Sequence, residues 1–322
     1  MIRKVTHFFL PLFLCGTLFL SSCSDDDDFT DDTVGPTQNM VQLLSSFPEY
    51  STLALALSLA DLTPTLEGSG PFTVFGPNNA AFTELFDELG LPAGSAEERL
   101  ISLIGELGAE EVQQILRYHV IAGLEVRSTD LGENTYATTF SDASPEGDPL
   151  SLFIRNVAQT ITLNGSSNVT QADLLATNGV LHGINSVLLL PNVVDLAQNN
   201  PILFSSLTDA LVQADLVSTL EDPDATFTVF APDNNAFASA DLDGVDLSEA
   251  LLYHVVSGNI RAADINEGPV ITLNNGETFN IGFGEDNLVT ITDNQGNVIN
   301  VMETDVQGTN GVLHRIAGVL IP

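Results

Sequence analysis

The sequence holds no tryptophan, two cysteines, three methionines and eight basic residues against 43 acidic ones. Each scarcity closes off a class of function. Cys15 lies inside an apolar leader and Cys23 directly follows it, so a chain cleaved there keeps no thiol for a disulfide or a cysteine metal site. Lysine is absent after Lys4, and the remaining basic residues are Arg99, Arg117, Arg127, Arg155, Arg261 and Arg315. A phosphate backbone needs a clustered basic footprint, so nucleic acid is not an expected partner. The formal charge of −35 becomes two units more negative if Arg3 and Lys4 are removed, a field that favours solubility and repels itself unless salt screens it. Long apolar runs are also missing. The stretch Phe8–Leu20 spans 13 residues, interrupted by Pro11 and Gly16, whereas a membrane-spanning helix needs about 20.

That short run, preceded by Arg3 and Lys4, has the layout of a secretory signal. It ends in Leu20-Ser21-Ser22-Cys23, which resembles the lipobox of bacterial lipoproteins: an aliphatic residue, two small residues and the cysteine that takes the lipid. Residues 1–22 are therefore expected to be cleaved and Cys23 to carry acyl chains, each methylene adding roughly 0.8 kcal/mol of membrane affinity. Residues 23–37 follow as an acidic tether, with Asp25 to Asp28, Asp31 and Asp32 too charged to bury a core. The SDDDD after the cysteine resembles the export signal that sends lipoproteins of some Gram-negative bacteria to the outer face of the outer membrane. An outer membrane lipoprotein exposed on the cell surface is the expected location, with the Cys23 lipid as its membrane contact.

The rest of the chain repeats itself. TVFGPNNAAF from Thr73 returns as TVFAPDNNAF from Thr228, YHVIAG from Tyr118 as YHVVSG from Tyr253, and NGVLHGINSVLLLP from Asn178 as NGVLHRIAGVLIP from Asn310. The offsets are 155, 135 and 132, so the second copy lacks 20 residues between its first two strings. A period above 130 residues marks a duplicated domain, not a solenoid. The boundaries expected are 38–191 and 192–322. Each copy opens with apolar residues three and four apart, as in a helix. The TVF strings read as short buried strands, and later segments alternate between Asn-Gly turns such as Asn275-Gly276, giving hairpins of an antiparallel sheet. Ser95 with Glu98 forms a capping box for an extra helix in the first copy. Helices first and sheet later predict an α+β fold.

The three strings, in register and twice over, resemble the boxes of the fasciclin domain family, also called FAS1, across Asn39–Pro322. The first box departs at Gly76, where the family has alanine, and the stretch before Tyr253 is short. The resemblance implies two tandem domains, each a wedge-like antiparallel β-sandwich with N-terminal helices packed on it, and a non-catalytic adhesion or matrix-binding role. It places partner contacts around Tyr118 and His119, Tyr253 and His254, and the Asp-aliphatic pairs Asp173-Leu174 and Asp305-Val306. An extracellular glycan, a matrix component or a cell-surface protein is the kind of partner implied.

Other repeated residues read as structural. Thr73, Asn79, His182 and their counterparts Thr228, Asn234 and His314 belong to the boxes; Asn79 and Asn234 read as strand-to-helix caps, and Asn178-Gly179 and Asn310-Gly311 as turns needing a positive φ. The four histidines beyond the leader, His119, His182, His254 and His314, read as bonded to buried backbone, since no cysteine or carboxylate of metal-ligand spacing accompanies them. No metal and no cofactor is expected. The string Asp241, Asp243, Asp246 and Glu249 has its glycine, Gly244, misplaced for an EF-hand and reads as a solvated loop; Gly282 and Gly284 lack the helix a dinucleotide loop requires. With no G-x-S-x-G or H-E-x-x-H string, an enzyme is not expected. The alternative is a surface hydrolase acting on esters of extracellular polymers, with His119 or His182 as base.

Overall fold

The computed structural model describes residues 35–284 and 287–322. The expected signal peptide, Cys23 and most of the acidic tether lie outside the described residues. From Pro36 onward the chain forms one compact unit that carries both copies.

The first copy opens with four short helical pieces: α1 (Met40–Ser46), a 3-10 turn at Pro48–Tyr50, α2 (Ser51–Leu59) and α3 (Thr63–Glu67). Strand β1 (Phe72–Pro77) follows, then α4 (Asn79–Glu88), α5 (Ala96–Leu107) and α6 (Ala109–Tyr118). The remaining strands are β2 (Val120–Ala122), β3 (Asn134–Thr138), β4 (Ser151–Val157), β5 (Thr160–Leu163), β6 (Ser167–Ala176) and β7 (Gly179–Ile184). They join in the order β2-β1-β7-β6-β5-β4-β3.

Every neighbour in this sheet is antiparallel except β1 and β7, which run parallel with Phe72 opposite Gly179 and Pro77 opposite Ile184. The expectation of a wholly antiparallel sheet is therefore corrected to a mixed one. A parallel pair needs a long crossover, and the three helices and five strands between Pro77 and Gly179 supply it. The pair is buried on both faces, which is why TVFGP and GVLHGI read as continuous runs with little polar alternation. On one face the helices pack, Leu53, Phe82, Phe86, Leu100, Leu103 and Leu116 meeting Val74 and Leu181. On the other, Phe75 and Ile184 meet Leu152, Ile154, Ile161 and Leu163. The sheet thus encloses a second core against itself, and β6, whose pairing with β7 shifts register twice near Gln171, passes between the two parts.

The second copy repeats this plan with α7 (Val193–Gln198), α8 (Pro201–Gln213), α9 (Val217–Leu220), β8 (Phe227–Pro232), α10 (Asn234–Ser239), α11 (Leu247–Tyr253), β9 (Val255–Ser257), β10 (Gly268–Ile271), β11 (Thr278–Phe283), β12 (Val289–Thr292), β13 (Val298–Gly308) and β14 (Gly311–Ile316). Its strand order is β10-β11-β12-β13-β14-β8-β9, with β14 and β8 parallel. The helix α5, with its Ser95–Glu98 capping box, has no counterpart. In its place the segment 240–246 brings Leu242 and Val245 to a small apolar hollow that Leu251 and His254 also line.

The copies touch. Tyr136 on β3 packs against the helical core of the second copy, and Asn200 donates to its hydroxyl at 3.0 Å. The Gln307 N–H donates to Ser151 Oγ at 2.9 Å, and Arg261 pairs with Asp148.

Candidate functional site

The repeated polar residues occupy equivalent places in both copies. Asn178, at the β6–β7 turn, accepts from the Met40 N–H at 2.8 Å and donates to the carbonyls of Leu66 and Gly68, so one amide fixes the start of α1 and the end of α3. Asn310 does the same for Val193, Leu220 and Asp222. Each is followed by a glycine with φ near +150°, Gly179 and Gly311, where a Cβ would overlap the carbonyl oxygen of Phe72 or Phe227 on the parallel strand. Thr73 donates to the Leu124 carbonyl and accepts from the Val126 N–H; Thr228 makes the same pair with Gly258 and Ile260.

The strand-to-helix caps lie one residue earlier than the sequence reading places them. Asn78 and Asp233 are the N-caps, accepting from the N–H of Ala81 and Ala236. Asn79 and Asn234 instead reach a neighbouring helix. Asn79 accepts from the Thr52 N–H at the start of α2 and donates to the Pro48 carbonyl; Asn234 accepts from Ser206 and donates to Ile202. Their geometry is a cap across elements, because the first residue inside one helix faces the unsatisfied N–H groups of the other.

The Tyr-His pairs sit in the interior. Tyr118 and His119 are 0% and 1% exposed, Tyr253 and His254 0% and 2%, so a partner at the surface meets none of them. This corrects the contact role the family resemblance gives these four residues. Their polar atoms are committed to backbone: Tyr118 donates to the Ser151 carbonyl and Tyr253 to that of Thr278. His119 bonds the Ile115 carbonyl through Nδ1 and accepts from the Leu188 N–H at Nε2; His254 joins Ala250 and Leu320 in the same way. Donor and acceptor roles fix the neutral Nδ1–H tautomer. Burial holds both rings down to about 4, against the upward pull of the carbonyl bond. His182 and His314 accept from the N–H of Asp173 and Asp305 at Nδ1 and meet the carbonyls of Val126 and Ile260 at Nε2, and burial lowers both. Neither His119 nor His182 has a ring nitrogen free to take a proton from a serine.

The Asp-aliphatic pairs form the bulge of β6 and β13. Asp173 and Asp305 have φ of 60° and 62°, a left-handed conformation that aspartate tolerates. Burial raises the Asp173 carboxyl, but bonds from the Ser128 hydroxyl and N–H outweigh it and leave the group lowered. Asp305 accepts from the Ala262 N–H and lies beside Arg261 at the junction of the copies. Val306 is buried, another correction to the expected contacts, whereas Leu174 is half-buried and its neighbour Leu175 is exposed. Of the paired candidates, the Asp173-Leu174 bulge keeps the most open surface.

The acidic string does not converge. Asp243 turns back on Asp241, Asp246 caps α11, and among the described residues no group of three His, Asp or Glu side chains is placed to hold a metal ion.

Sequence reasoning passes over one concavity. In the first copy a cleft of about 660 Å³ opens where the loop after β2 faces the ends of β4, β5 and β6, lined by Ser128, Thr129, Asn156, Gln159, Thr170 and the apolar Ile161, Val169 and Ala172. The signal that points to it is the β4–β5 turn Ala158-Gln159, where a hairpin asks for Asn-Gly.

A family model, the fasciclin domain, matches residues 48–191 and again 203–322. The pig transforming growth factor-beta-induced protein ig-h3 is 28% identical over 301 residues, 89% of this chain and 40% of that protein. Human periostin is 28% identical over 273 residues, covering 81% and 29%. The chain thus spans well under half the length of either relative. A solved FAS1 domain pair from the insect cell adhesion molecule fasciclin I aligns with 84% of this chain and 92% of its own, at 20% identity and a TM-score of 0.45. With three boxes placed alike in both copies and the family model matching twice, the chain belongs to the fasciclin domain family, which it carries as a tandem pair.

Proposed function

We propose that the protein is a non-catalytic adhesion or matrix-binding lipoprotein, held to the outer membrane by lipid on Cys23 and displayed on the cell surface. One observation carries the non-catalytic part: the repeated histidines have both ring nitrogens bonded to backbone in the core. What the two domains offer a partner is surface rather than a reactive group. The lipobox and SDDDD support the anchor and its outward side, and membership of the fasciclin family supports adhesion. Two domains on an acidic tether raise the effective concentration of a second contact once the first is made.

The test uses cells of a Gram-negative host displaying the full chain. External protease is expected to remove it from intact cells, Cys23→Ala to release it from the membrane fraction, and displaying cells to attach to immobilised matrix proteins, polysaccharides or neighbouring cells. Absence of attachment to every such surface, with the protein folded and accessible, overturns the reading.

A further inference from the structure

The cleft of the first copy has a chemistry that narrows its ligand. None of its lining residues carries a formal charge, although the molecule bears −35. Cations find no carboxylate in the lining, and anions meet the repulsion of the surrounding field. Its volume lies within the roughly 300–1,000 Å³ of small-molecule sites. Hydroxyl and amide groups stand around an apolar floor of Ile161 and Val169. Asn156 spends its amide donors on the carbonyls of Ser128 and Leu131, which leaves its oxygen as an acceptor, and the Gln159 amide makes no hydrogen bond among the described residues. The backbone of β4 is paired on both sides, whereas β5 and β6 pair only at Thr162–Asn168 and Leu163–Ser167, so the cleft opens where these two strands part.

A second observation concerns the rim. Ala158 and Gln159 both take left-handed φ, 51° and 67°, in a two-residue turn. The next turn along uses Asn164-Gly165 for similar values. Non-glycine residues in this region are costly and persist where the position matters, and Gln159 lines the cleft.

The second copy lacks three of these groups among the described residues. Register and the shared Asp173/Asp305 bonds place Ala262 at the position of Ser128, Phe283 at that of Asn156 and Met302 at that of Thr170. Three positions that carry a hydroxyl or an amide in the first domain are thus apolar in the second.

We propose that the cleft between Ser128–Thr129, Asn156, Gln159 and Thr170 in the first domain binds a segment of a neutral glycan, the sugar hydroxyls meeting the amides and hydroxyls over Ile161 and Val169. This deepens the adhesion reading and rests on it, assigning the glycan contact to the first copy.

The full protein is titrated by calorimetry with neutral gluco-, manno- and galacto-oligosaccharides, and with uronic-acid oligosaccharides as the charged comparison. One saturable site for a neutral oligosaccharide is expected, with no uptake of the uronates. Gln159→Gly removes the amide and the strain together, so it is expected to weaken binding about tenfold or more while melting at the same or a higher temperature. Ala158→Gly relieves strain alone and is expected to keep the wild-type affinity. The proposal is overturned if no neutral oligosaccharide saturates the folded protein at millimolar concentration, if Gln159→Gly binds as the wild type does, or if the uronates bind better. Attachment of displaying cells separates the two readings: Gln159→Gly cells that adhere normally leave adhesion standing and remove the cleft from it, whereas wild-type cells that adhere to nothing overturn adhesion itself.

Discussion

His119 and His254 are the residues whose chemistry most sets how the protein answers pH. Each is buried and neutral, bridging the end of a helix to the segment that follows the last strand of its domain, and its pKa falls to about 4 from an unfolded value near 6.5. Between those values the unfolded chain binds the proton and the folded one does not. Stability is therefore expected to fall as pH drops from about 6.5 to about 4, by up to about 1.4 kcal/mol per pH unit for each ring, and to lose nothing further from these groups below that window. His182 and His314, also lowered, act in the same direction. Asp195 and Glu303, raised by burial, run the other way, gaining stability as pH falls through their folded pKa toward the unfolded one. Ring proton shifts followed by NMR separate these contributions. Those of His119 and His254 should stay at their neutral positions from pH 8 to about pH 5, and a midpoint near 6.5 for either would contradict the burial argument.

At the scale of elements, the asparagine after each TVF strand does more than its own helix requires. Asn79→Ala leaves the Thr52 N–H at the start of α2 and the Pro48 carbonyl without their partner, and is expected to cost about 2 kcal/mol in urea unfolding. Asn78→Asp should change stability by less than about 0.5 kcal/mol, because Asp233 already caps the equivalent helix. A loss of about 2 kcal/mol in Asn78→Asp would contradict the interchange of Asn and Asp at this cap. This pair shows where the sequence is legible and where it is not. A proline followed by two candidate caps announces a helix start, and the Ser95–Glu98 box announces α5 because both partners are local. Which of two adjacent asparagines caps which helix depends on the approach of α2, some 27 residues away in sequence. The parallel pairing of β1 with β7 is hidden for the same reason: alternation reports which faces are buried, and a strand buried on both reports only that it is central. The Tyr-His pair reads as surface from the family and as core from geometry, since the backbone carbonyl and amide that satisfy it come from segments far along the chain. The neutral cleft left almost no trace, because its residues come from a loop and three strands and only the odd turn at Ala158-Gln159 stands out.

The whole molecule depends on how firmly its two domains are joined, and Tyr136 is the side chain on which that rests. It belongs to the edge strand of the first sheet, yet its ring packs on the helical core of the second domain and its hydroxyl accepts from Asn200. Burial pushes the phenol up, as expected for a group removed from water. Other contacts across the junction, Gln307 with Ser151 and Arg261 with Asp148 among them, are polar, and the Arg261 pair is partly exposed and screened by salt. Tyr136→Ala removes the large apolar contact and leaves the Asn200 side chain, whose oxygen is already without a partner, buried and unpaired. Each domain keeps its own helical and sandwich cores in this variant. The joined protein is therefore expected to unfold in one calorimetric transition and Tyr136→Ala in two, with the second domain melting first because it lacks α5 and loses cover over Asn200. Arg261→Ala should leave a single transition at physiological salt. A single transition in Tyr136→Ala as well would mean that the polar contacts alone hold the pair together, and a wild type that already melts in two steps would mean that the junction couples the domains too weakly to matter for their stability.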